Sequence, residues 1–355
     1  MQILYFGTYE RDYPRNAQVI SCLRRAGVEV VESHAPLWEQ RHKLAFGARS
    51  MVRALRAEAR LVRRSAEGAD AVLVGYPGHL DMSAAKRVAR GRPVVFNPLV
   101  SLEETMIEDR GLLKERSAAA GAIRLVDRTA FRRADLVVAD TDAHARYFIE
   151  RFGLAADRVA ACYVGADDQL FAPGPFEATS FHVLFVGKLI PLHGLETILK
   201  AAELCPETEF RIVGSGQLDE VLTTMPGNVR HEPWVEYDRL PDLYRLAGCA
   251  LGIFGVSAKA ARVIPNKAFH ALATETPLVT SDTPAARELL EDGHNALLVP
   301  PGDPSALAAA IRRLADDAGL RHRLAANGRL TYVEQASEPV LGARWRSLLE
   351  DLLRR

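Results

Sequence analysis

The stretch from Leu251 to Glu288 reads LGIFGVSAKAARVIPNKAFHALATETPLVTSDTPAARE and decides how the surrounding chain folds. Two apolar runs, Leu251 to Val256 and Pro277 to Thr280, predict buried strands. Between them lie a loop of small and basic residues and a short helix predicted from Asn266. Such a loop and helix N-terminus at the end of parallel strands offer backbone N–H groups and cations to an anion. We interpret the stretch as a cradle for an anion, commonly a phosphate.

Strands and helices alternate on both sides of this stretch. In the first half, apolar runs predict strands at residues 2–6, 28–31, 71–75, 93–96 and 136–139. The second half restarts the alternation with FHVLFVG and EFRIVG, each followed by a helical pattern. This alternation predicts parallel sheets covered by helices. We therefore assign the chain to the α/β class, with two Rossmann-like domains facing one another across a cleft.

Glycine and proline interrupt every periodic pattern between residues 164 and 180, which marks the boundary between the domains. We predict a first Rossmann-like domain on the acceptor side over residues 1–174 and a second, nucleotide-sugar-binding domain over residues 175–337. The last segment, residues 338–355, is amphipathic. We expect this helix to return toward the first domain and to pack across the junction.

Length and composition narrow the class of protein. At 355 residues the chain is longer than most domains with a single hydrophobic core, which favours two domains. Lys plus Arg and Asp plus Glu each number 45, so the chain has no net positive charge that would favour binding to nucleic acid. The four cysteines are widely spaced, which predicts buried, reduced thiols rather than a zinc site. Without a leader or a membrane-length apolar run, we expect a cytoplasmic protein that at most touches a membrane from the cytoplasmic face.

A basic stripe stands out in the first half. Residues 39–68 predict a long helix with five arginines at spacings of four and three on one face: Arg49, Arg53, Arg56, Arg60 and Arg63. One interpretation is a solvated basic face. The other is a docking surface for anionic lipid or for a lipid-phosphate acceptor.

Three other features of the first half are candidate substrate contacts. His79 follows a predicted strand, where open α/β sheets bind ligands, although a histidine after a turn is often structural. The polar turn after the first strand places Tyr13 and Arg15 where they could line the cleft. An acidic cluster follows a later strand and either caps a helix or contacts substrate: Glu103, Glu104, Glu108 and Asp109.

The second half carries five motifs in series: GADDQLFAP, VLFVGKLIPLHGLETILKAA, RIVGSGQLDEV, PWVEYDRLPDLYRLAGCALGIF and PLVTSDTPAARELLEDGHNALLVPPGDPSALAAAI. In their order and spacing the chain resembles the family-4 glycosyltransferases. The resemblance implies the GT-B arrangement of two Rossmann-like domains. It also implies transfer of a sugar from a nucleotide-sugar donor to an acceptor hydroxyl, with retention of configuration.

The resemblance assigns roles to particular positions. Lys188 and His193 occupy the family's two cationic positions that hold the donor diphosphate, where His193 replaces a lysine. Arg262 and His270 occupy the positions of two family glutamates, so neither carboxylate is present. An arginine favours an anionic donor group, and a histidine can still bond a ribose hydroxyl.

The complete set of predicted site residues follows from these arguments. The predicted catalytic residues are Lys188, His193, Arg262 and His79. The predicted donor-binding residues are Gly187, Gly214, Gly216, Val235, Lys259, Val263, Ile264, Asn266, Lys267, His270 and Glu288. No metal site is expected, because Asp140-Thr141-Asp142 is interpreted as a strand end and helix cap rather than a metal motif.

We expect a retaining, metal-independent hexosyltransferase-like enzyme with no cofactor besides its donor substrate. Its acceptor is expected to be a saccharide, a lipid-linked molecule or a small molecule, in cell-envelope polysaccharide or glycolipid synthesis. Two alternatives stay open. The same fold hosts nucleotide-sugar epimerases and hydrolases. A non-catalytic nucleotide-sugar-binding relative is the other alternative, favoured by Arg262 and His270.

Overall fold

The computed structural model describes residues 1–37, 56–174 and 180–355. Contacts between residues divide the chain into two units. Unit 1 comprises Met1–Ile107, Gly111–Val164 and Glu338–Arg355; unit 2 comprises Glu108–Arg110 and Gly165–Ser337. The boundary predicted after residue 174 adjoins residues outside the described part and stays a prediction.

Unit 1 contains a parallel six-stranded sheet in the order β2-β1-β3-β4-β5-β6. Its strands are β1 (Gln2–Gly7), β2 (Glu29–His34), β3 (Ala71–Val74), β4 (Val94–Phe96), β5 (Leu136–Ala139) and β6 (Val159–Ala161). Four of its helices are α1 (Pro14–Arg25), α2 (Met82–Ala89), α3 (Ala118–Arg133) and α4 (Asp142–Phe152). A π-helix at Glu104–Asp109 lies between β4 and α3. The central strands β3, β4 and β5 are buried at every position, as parallel strands covered on both faces must be.

Unit 2 repeats this design with the strand order β12-β11-β10-β7-β8-β9. Its strands are β7 (His182–Val186), β8 (Glu209–Val213), β9 (Val229–Glu232), β10 (Cys249–Leu251), β11 (Leu278–Ser281) and β12 (Leu297–Val299). Its helices are α5 (Leu195–Leu204), α6 (Leu240–Leu246), α7 (Asn266–Ala273), α8 (Pro304–Asp316) and α9 (Ala318–Gln335). The two parallel sheets confirm the predicted α/β fold of two Rossmann-like domains.

The C-terminal helix α10 (Glu338–Arg354) completes the core of unit 1 by packing on α1. Trp345 is only 1% exposed and lies in the apolar cluster beneath α1. The two helices approach so closely that a Cβ added to Gly342 would lie 2.5 Å from the carbonyl oxygen of Cys22. At the start of α10 the buried Glu338 accepts a hydrogen bond from Ser21. The last segment of the chain is therefore part of the first unit's core.

The predicted strand at Leu251–Val256 is wrong in its extent, because β10 ends at Leu251. Beyond Ile253 the chain leaves the sheet: the N–H of Phe254 donates to the carbonyl of His193 at 3.1 Å. The N–H of Gly255 donates to the carbonyl of Leu192 at 3.2 Å. An apolar run alone does not distinguish a long strand from a short strand followed by a buried loop.

The predicted basic helix falls partly outside the described residues. Arg49 and Arg53 lie there, and nothing in the structure bears on them. The described helical segment covers residues 56–61, so the predicted end at residue 68 is wrong. Arg56, Arg60 and Arg63 are exposed. The helix ends at Leu61, whose side chain is buried in the core, just before the exposed run Arg63, Arg64 and Ser65.

The expectation that Arg15 faces substrate is also wrong. Arg15 has no exposed surface, and its guanidinium donates to the Asn97 side chain and to the carbonyls of Cys162 and Tyr163. The same guanidinium lies 5.7 Å from the ring centre of Trp345. Arg15 therefore ties strand ends of unit 1 to the C-terminal helix.

The four cysteines are buried free thiols, as predicted. Across the described ranges, every helix is too short or too polar to cross a bilayer.

Replacing Trp345 with Ala is expected to lower the free energy of unfolding by about 3–5 kcal/mol, because it leaves a large cavity in a closed core. Urea or guanidinium unfolding followed by circular dichroism measures the change. Trp234→Ala is the control, since Trp234 is 57% exposed. Equal effects of the two substitutions would contradict the packing of α10.

Candidate functional site

The carboxyl ends of β7 and β8 meet at two glycines. Gly187 and Gly214 both have positive φ angles, +156° and +132°. A Cβ on Gly214 would lie 2.0 Å from the carbonyl oxygen of Gly187, so only glycine fits there. We call these strand ends, with the loop at residues 188–194, the glycine edge. It is the sheet edge at which open α/β folds bind ligands.

The loop of the glycine edge is held by residues 254–255. Gly194 has φ +67°, and a Cβ there would lie 2.5 Å from the carbonyl carbon of Phe254. Together with the two backbone hydrogen bonds from residues 254 and 255, this close approach fixes the short 3-10 turn Pro191–His193. His193 is thereby placed beside the end of β7.

Lys267, in the first turn of α7, points its amine at the glycine edge. The residue is 5% exposed, and its Nζ lies 3.8 Å from the ring centre of Phe185. Within the described part of the chain, this amine has no hydrogen-bond partner. A Cβ added to Gly187 would lie 2.7 Å from Nζ of Lys267 and 3.0 Å from Cε1 of His193. Burial lowers the pKa of Lys267 well below its usual value of 10.5.

His193 is held as a neutral imidazole. Its Nδ1 donates to the carbonyl oxygen of Lys188, and its ring packs edge-on against Phe185 with centres 5.6 Å apart. Burial, followed by the charge of Lys267, lowers its pKa well below 6.5. The predicted diphosphate contact is therefore uncharged until an anion supplies compensating charge.

The two positions that the resemblance assigns to family glutamates differ in their surroundings. His270, on α7, stacks on Phe171 with ring centres 3.9 Å apart and an angle of 7° between planes. Tyr244 meets the same ring edge-on, and burial lowers the pKa of His270 to about 3. Arg262 is half-buried in the 3-10 turn Ala260–Arg262.

The structure brings some predicted site residues together and separates others. Gly187, Lys267 and His193 converge at the glycine edge, and Lys188 adjoins them with an exposed side chain. Lys259 is buried and close enough to lower the pKa of His193.

The remaining predicted donor contacts lie around this group. Val263 and Ile264 are buried just before α7, and Asn266 is its first residue. Gly216 pairs with Leu189 in an isolated bridge, and Glu288 ends the 3-10 turn after β11. Val235 instead lines a separate cavity of about 440 Å³ with Arg211 and Glu232. Their roles in binding stay predictions.

His79 lies in unit 1, where its side chain is 2% exposed. Its ring packs edge-on against Phe96, and its Nε2 lies 3.5 Å from Oδ1 of Asp127. Burial lowers its pKa to about 4, so the ring is neutral at physiological pH. Its catalytic role stays a prediction.

The sequence analysis missed a buried charge cluster in unit 1. His144 has no exposed surface and joins two carboxylates: Nδ1 is 2.7 Å from Asp140 and Nε2 is 3.1 Å from Glu104. Burial alone would lower its pKa, but the two carboxylates outweigh burial and raise it to about 9. The only local indication of this cluster in the sequence is that Asp140 and His144 are four residues apart at the start of a helix. Glu104 is distant in the sequence and contacts His144 only in the folded chain.

The triplet Asp140-Thr141-Asp142 is a strand end and helix cap, as predicted. β5 ends at Ala139, α4 begins at Asp142, and the hydroxyl of Thr141 accepts the N–H of His144 at 3.0 Å. Among the described residues, no group of three or more His, Cys, Asp or Glu side chains is arranged to hold a metal ion.

The fold defines a class of protein: two Rossmann-like domains, the second with a glycine-lined sheet edge beside which Lys188, His193 and Lys267 lie. The family profile described as "Glycosyl transferases group 1" matches residues 180–317, and "Glycosyl transferase 4-like domain" matches residues 5–165. Together they match most of the chain. The chain belongs to this family of glycosyltransferases, those of family 4 with the GT-B fold.

Curated relatives agree with this assignment. D-inositol 3-phosphate glycosyltransferase of Thermomonospora curvata is 29% identical over 272 residues, which are 64% of this chain and 60% of the relative. Lipopolysaccharide core biosynthesis glycosyltransferase LpsE of Rhizobium meliloti is 26% identical over 62% of this chain and 65% of its own length. The chain thus spans less than two thirds of either relative.

Solved structures share the fold. Sucrose-phosphate synthase from Thermosynechococcus elongatus superposes with a TM-score of 0.75 at 16% identity, covering 100% of this chain and 99% of that one. Anabaena HepE in complex with UDP-glucose gives a TM-score of 0.73 at 19% identity, covering 99% and 100%.

Replacing Gly214 with Ala is expected to lower the free energy of unfolding of unit 2 by about 1–3 kcal/mol, because the methyl group meets the Gly187 carbonyl at a strained φ. Thermal and denaturant unfolding measure the loss. Gly227→Ala is the matched control, since a Cβ there meets nothing within 4 Å. An unchanged stability in Gly214→Ala would refute the close approach.

The pKa of His144 predicts a pH effect on stability. Because its folded pKa of about 9 lies above the ordinary 6.5, its contribution is complete below pH 6.5 and disappears as the pH rises through 9. Unfolding free energy measured across this window should fall more steeply in the wild type than in His144→Gln. The exposed His322→Gln serves as control, and equal slopes for all three proteins would show that His144 is not a buried cation.

Proposed function

We propose that this protein transfers a sugar from a nucleotide-sugar donor to an acceptor hydroxyl. The observation that carries the proposal is the Lys267 amine, which is buried without a hydrogen-bond partner among the described residues and aimed at the glycine edge. An unpaired buried ammonium is costly, whereas an anion in contact with it would offset that cost. A diphosphate supplies such an anion, and the edge lies within the matched group 1 region.

The printed names of relatives support a sugar nucleotide as the donor. HepE has been solved with UDP-glucose, and curated relatives are named for glycosyl transfer to inositol 3-phosphate and in lipopolysaccharide core biosynthesis. We therefore take UDP-sugars as the first donors to test. The acceptor we propose is a saccharide, lipid-linked or small-molecule hydroxyl of cell-envelope or glycolipid synthesis.

The reaction breaks the bond between C1 of the sugar and the diphosphate oxygen while the acceptor oxygen bonds to C1. Negative charge develops on the leaving diphosphate and requires cations and N–H donors already in place. Lys267, the mobile ammonium of Lys188 and the amino end of α7 are suited to supply them. We propose that the acceptor's proton passes to the leaving phosphate oxygen on the same face, which gives retention without a metal or further cofactor.

Two family positions bear on donor preference. The resemblance to the family-4 glycosyltransferases places Arg262 and His270 at the positions of two glutamates. The stacked, neutral ring of His270 can accept or donate one hydrogen bond to a ribose hydroxyl, and Arg262 favours an anionic donor group. We propose that these two residues select the donor.

Replacing Lys267 with Met is expected to act on binding and on stability with opposite signs. Loss of a charge-assisted hydrogen bond should weaken UDP binding by roughly tenfold or more. Removal of a buried, unpaired amine should raise the melting temperature of the free protein. Isothermal calorimetry and thermal unfolding measure the two effects. Lys200→Met, which removes an exposed lysine on α5, should change neither.

Activity assays distinguish the alternative functions. Transfer to an acceptor, with the product anomer identified by NMR and with EDTA present, tests retention and metal independence together. Rapid turnover of the donor without acceptor would instead favour an epimerase or hydrolase. Binding of a nucleotide sugar without any turnover would instead favour a non-catalytic relative, the alternative favoured by the missing glutamates. Absence of binding across UDP-, GDP- and dTDP-sugars would overturn the proposed function.

A further inference from the structure

Unit 1 contains a cationic cavity that is separate from the glycine edge of unit 2. None of its residues takes part in the proposed sugar transfer. A cavity of about 420 Å³ opens between α3 and α4, within the volume range of ordinary ligand sites. We call it the arginine pocket, defined by its charged lining: Glu103, Arg124, Arg128, Arg132 and Arg151. It thus holds four guanidinium groups against one carboxylate.

Part of the arginine pocket is rigidly built. Glu103 is 4% exposed and takes Arg151 in a bidentate pair, with Nε and Nη2 donating at 2.9 and 2.6 Å to Oε2. Arg124 donates from Nε to the other oxygen at 2.6 Å. Burial raises the pKa of Glu103, but Arg151 and Arg124 together outweigh burial and lower the pKa overall. The single carboxylate is therefore charged and already shared by two arginines.

The other two arginines are not neutralised. Arg124, Arg128 and Arg132 are spaced four residues apart on α3, so their side chains follow one another up one face at intervals of about 6 Å. Like charges at this spacing repel and weaken a helix. Within the described ranges, no carboxylate or carbonyl pairs with the side chain of Arg128 or Arg132. A bound anion would supply the missing countercharge.

The arginine pocket is distinct from the ligand-binding edge of its own sheet. Gly153 ends α4 with φ +62°, and the chain runs from there to the start of β6 at Val159. That end of the pocket thus lies toward the amino ends of the strands, whereas open α/β sheets bind substrates at the carboxyl ends. It shares no lining residue with the glycine edge.

We propose that the arginine pocket binds a phosphate-bearing ligand with at least two negative charges. A guanidinium group can donate two parallel hydrogen bonds to the oxygens of one phosphate. Because the arginines of α3 follow one another along the helix, they match a ligand whose negative charges are several ångströms apart. Such chemistry is found in a soluble diphosphate and in the headgroup of an anionic lipid. The site is independent of the donor chemistry, because it holds none of the residues assigned to the donor.

The test is titration of the full-length protein with inorganic pyrophosphate by calorimetry, and sedimentation with phosphatidylcholine vesicles with and without phosphatidic acid. Arg128→Gln/Arg132→Gln is compared with Arg313→Gln/Arg323→Gln, which removes two exposed arginines of unit 2. Lys267→Met separates pyrophosphate bound at the glycine edge from pyrophosphate bound in unit 1.

The proposal expects the Arg128/Arg132 variant to lose affinity for one probe by at least about fivefold, and the control pair to retain it. Loss confined to pyrophosphate identifies a soluble phosphate ligand, and loss confined to vesicles identifies a lipid headgroup. Binding of both probes as in the wild type, or abolition of all binding by Lys267→Met alone, would overturn the site. Both variants keep Arg124, Arg151 and Glu103, so the folded pocket is preserved.

Discussion

The candidate site of unit 2 depends on the close approach of two backbone segments beyond the ends of parallel strands. The carbonyl of Gly187 occupies the space that a side chain at Gly214 would need, and Gly194 lies against residues 254–255 in the same way. Both contacts require glycine. They leave a shallow, backbone-lined surface over the end of β7, into which Lys267 and His193 point. A side chain at Gly187 would fill that surface.

The two units treat buried charge in opposite ways. In unit 1, His144 sits between Asp140 and Glu104, and its protonated state is stabilised by both. In unit 2, Lys267 is equally enclosed but lies against an aromatic ring without such partners in the described part. The first arrangement stabilises a fold, because the cation lies between two carboxylates of the same unit. The second leaves an amine without a hydrogen-bond partner among the described residues, which is why we propose ligand binding there.

Much of the fold was predictable because hydrophobic periodicity depends on local sequence. Strands β1 to β5, β7, β8 and β11, the helix beginning at Asn266 and the cap at Thr141 follow directly from residue pattern and turn chemistry. The errors share a cause. The run at Leu251–Val256 is largely buried and apolar, yet two of its six residues, Phe254 and Gly255, pair with the loop of the glycine edge rather than with a strand. Arg15 is a charged residue after a strand, yet distant carbonyls and Trp345 enclose it.

By itself, the sequence determined the α/β class, the order of the elements and the resemblance to a family of glycosyltransferases, since these rest on periodicity and on motifs contiguous in the chain. Only the tertiary structure decided which charged groups are buried and what compensates them. His193 is neutral beside Lys267, and the Lys267 amine has no hydrogen-bond partner among the described residues. Glu104 helps to raise the pKa of His144, and two arginines gather around Glu103. Each of these contacts joins residues far apart in the chain. Desolvation and charge pairing depend on three-dimensional neighbours, and the pattern along the chain does not contain those neighbours.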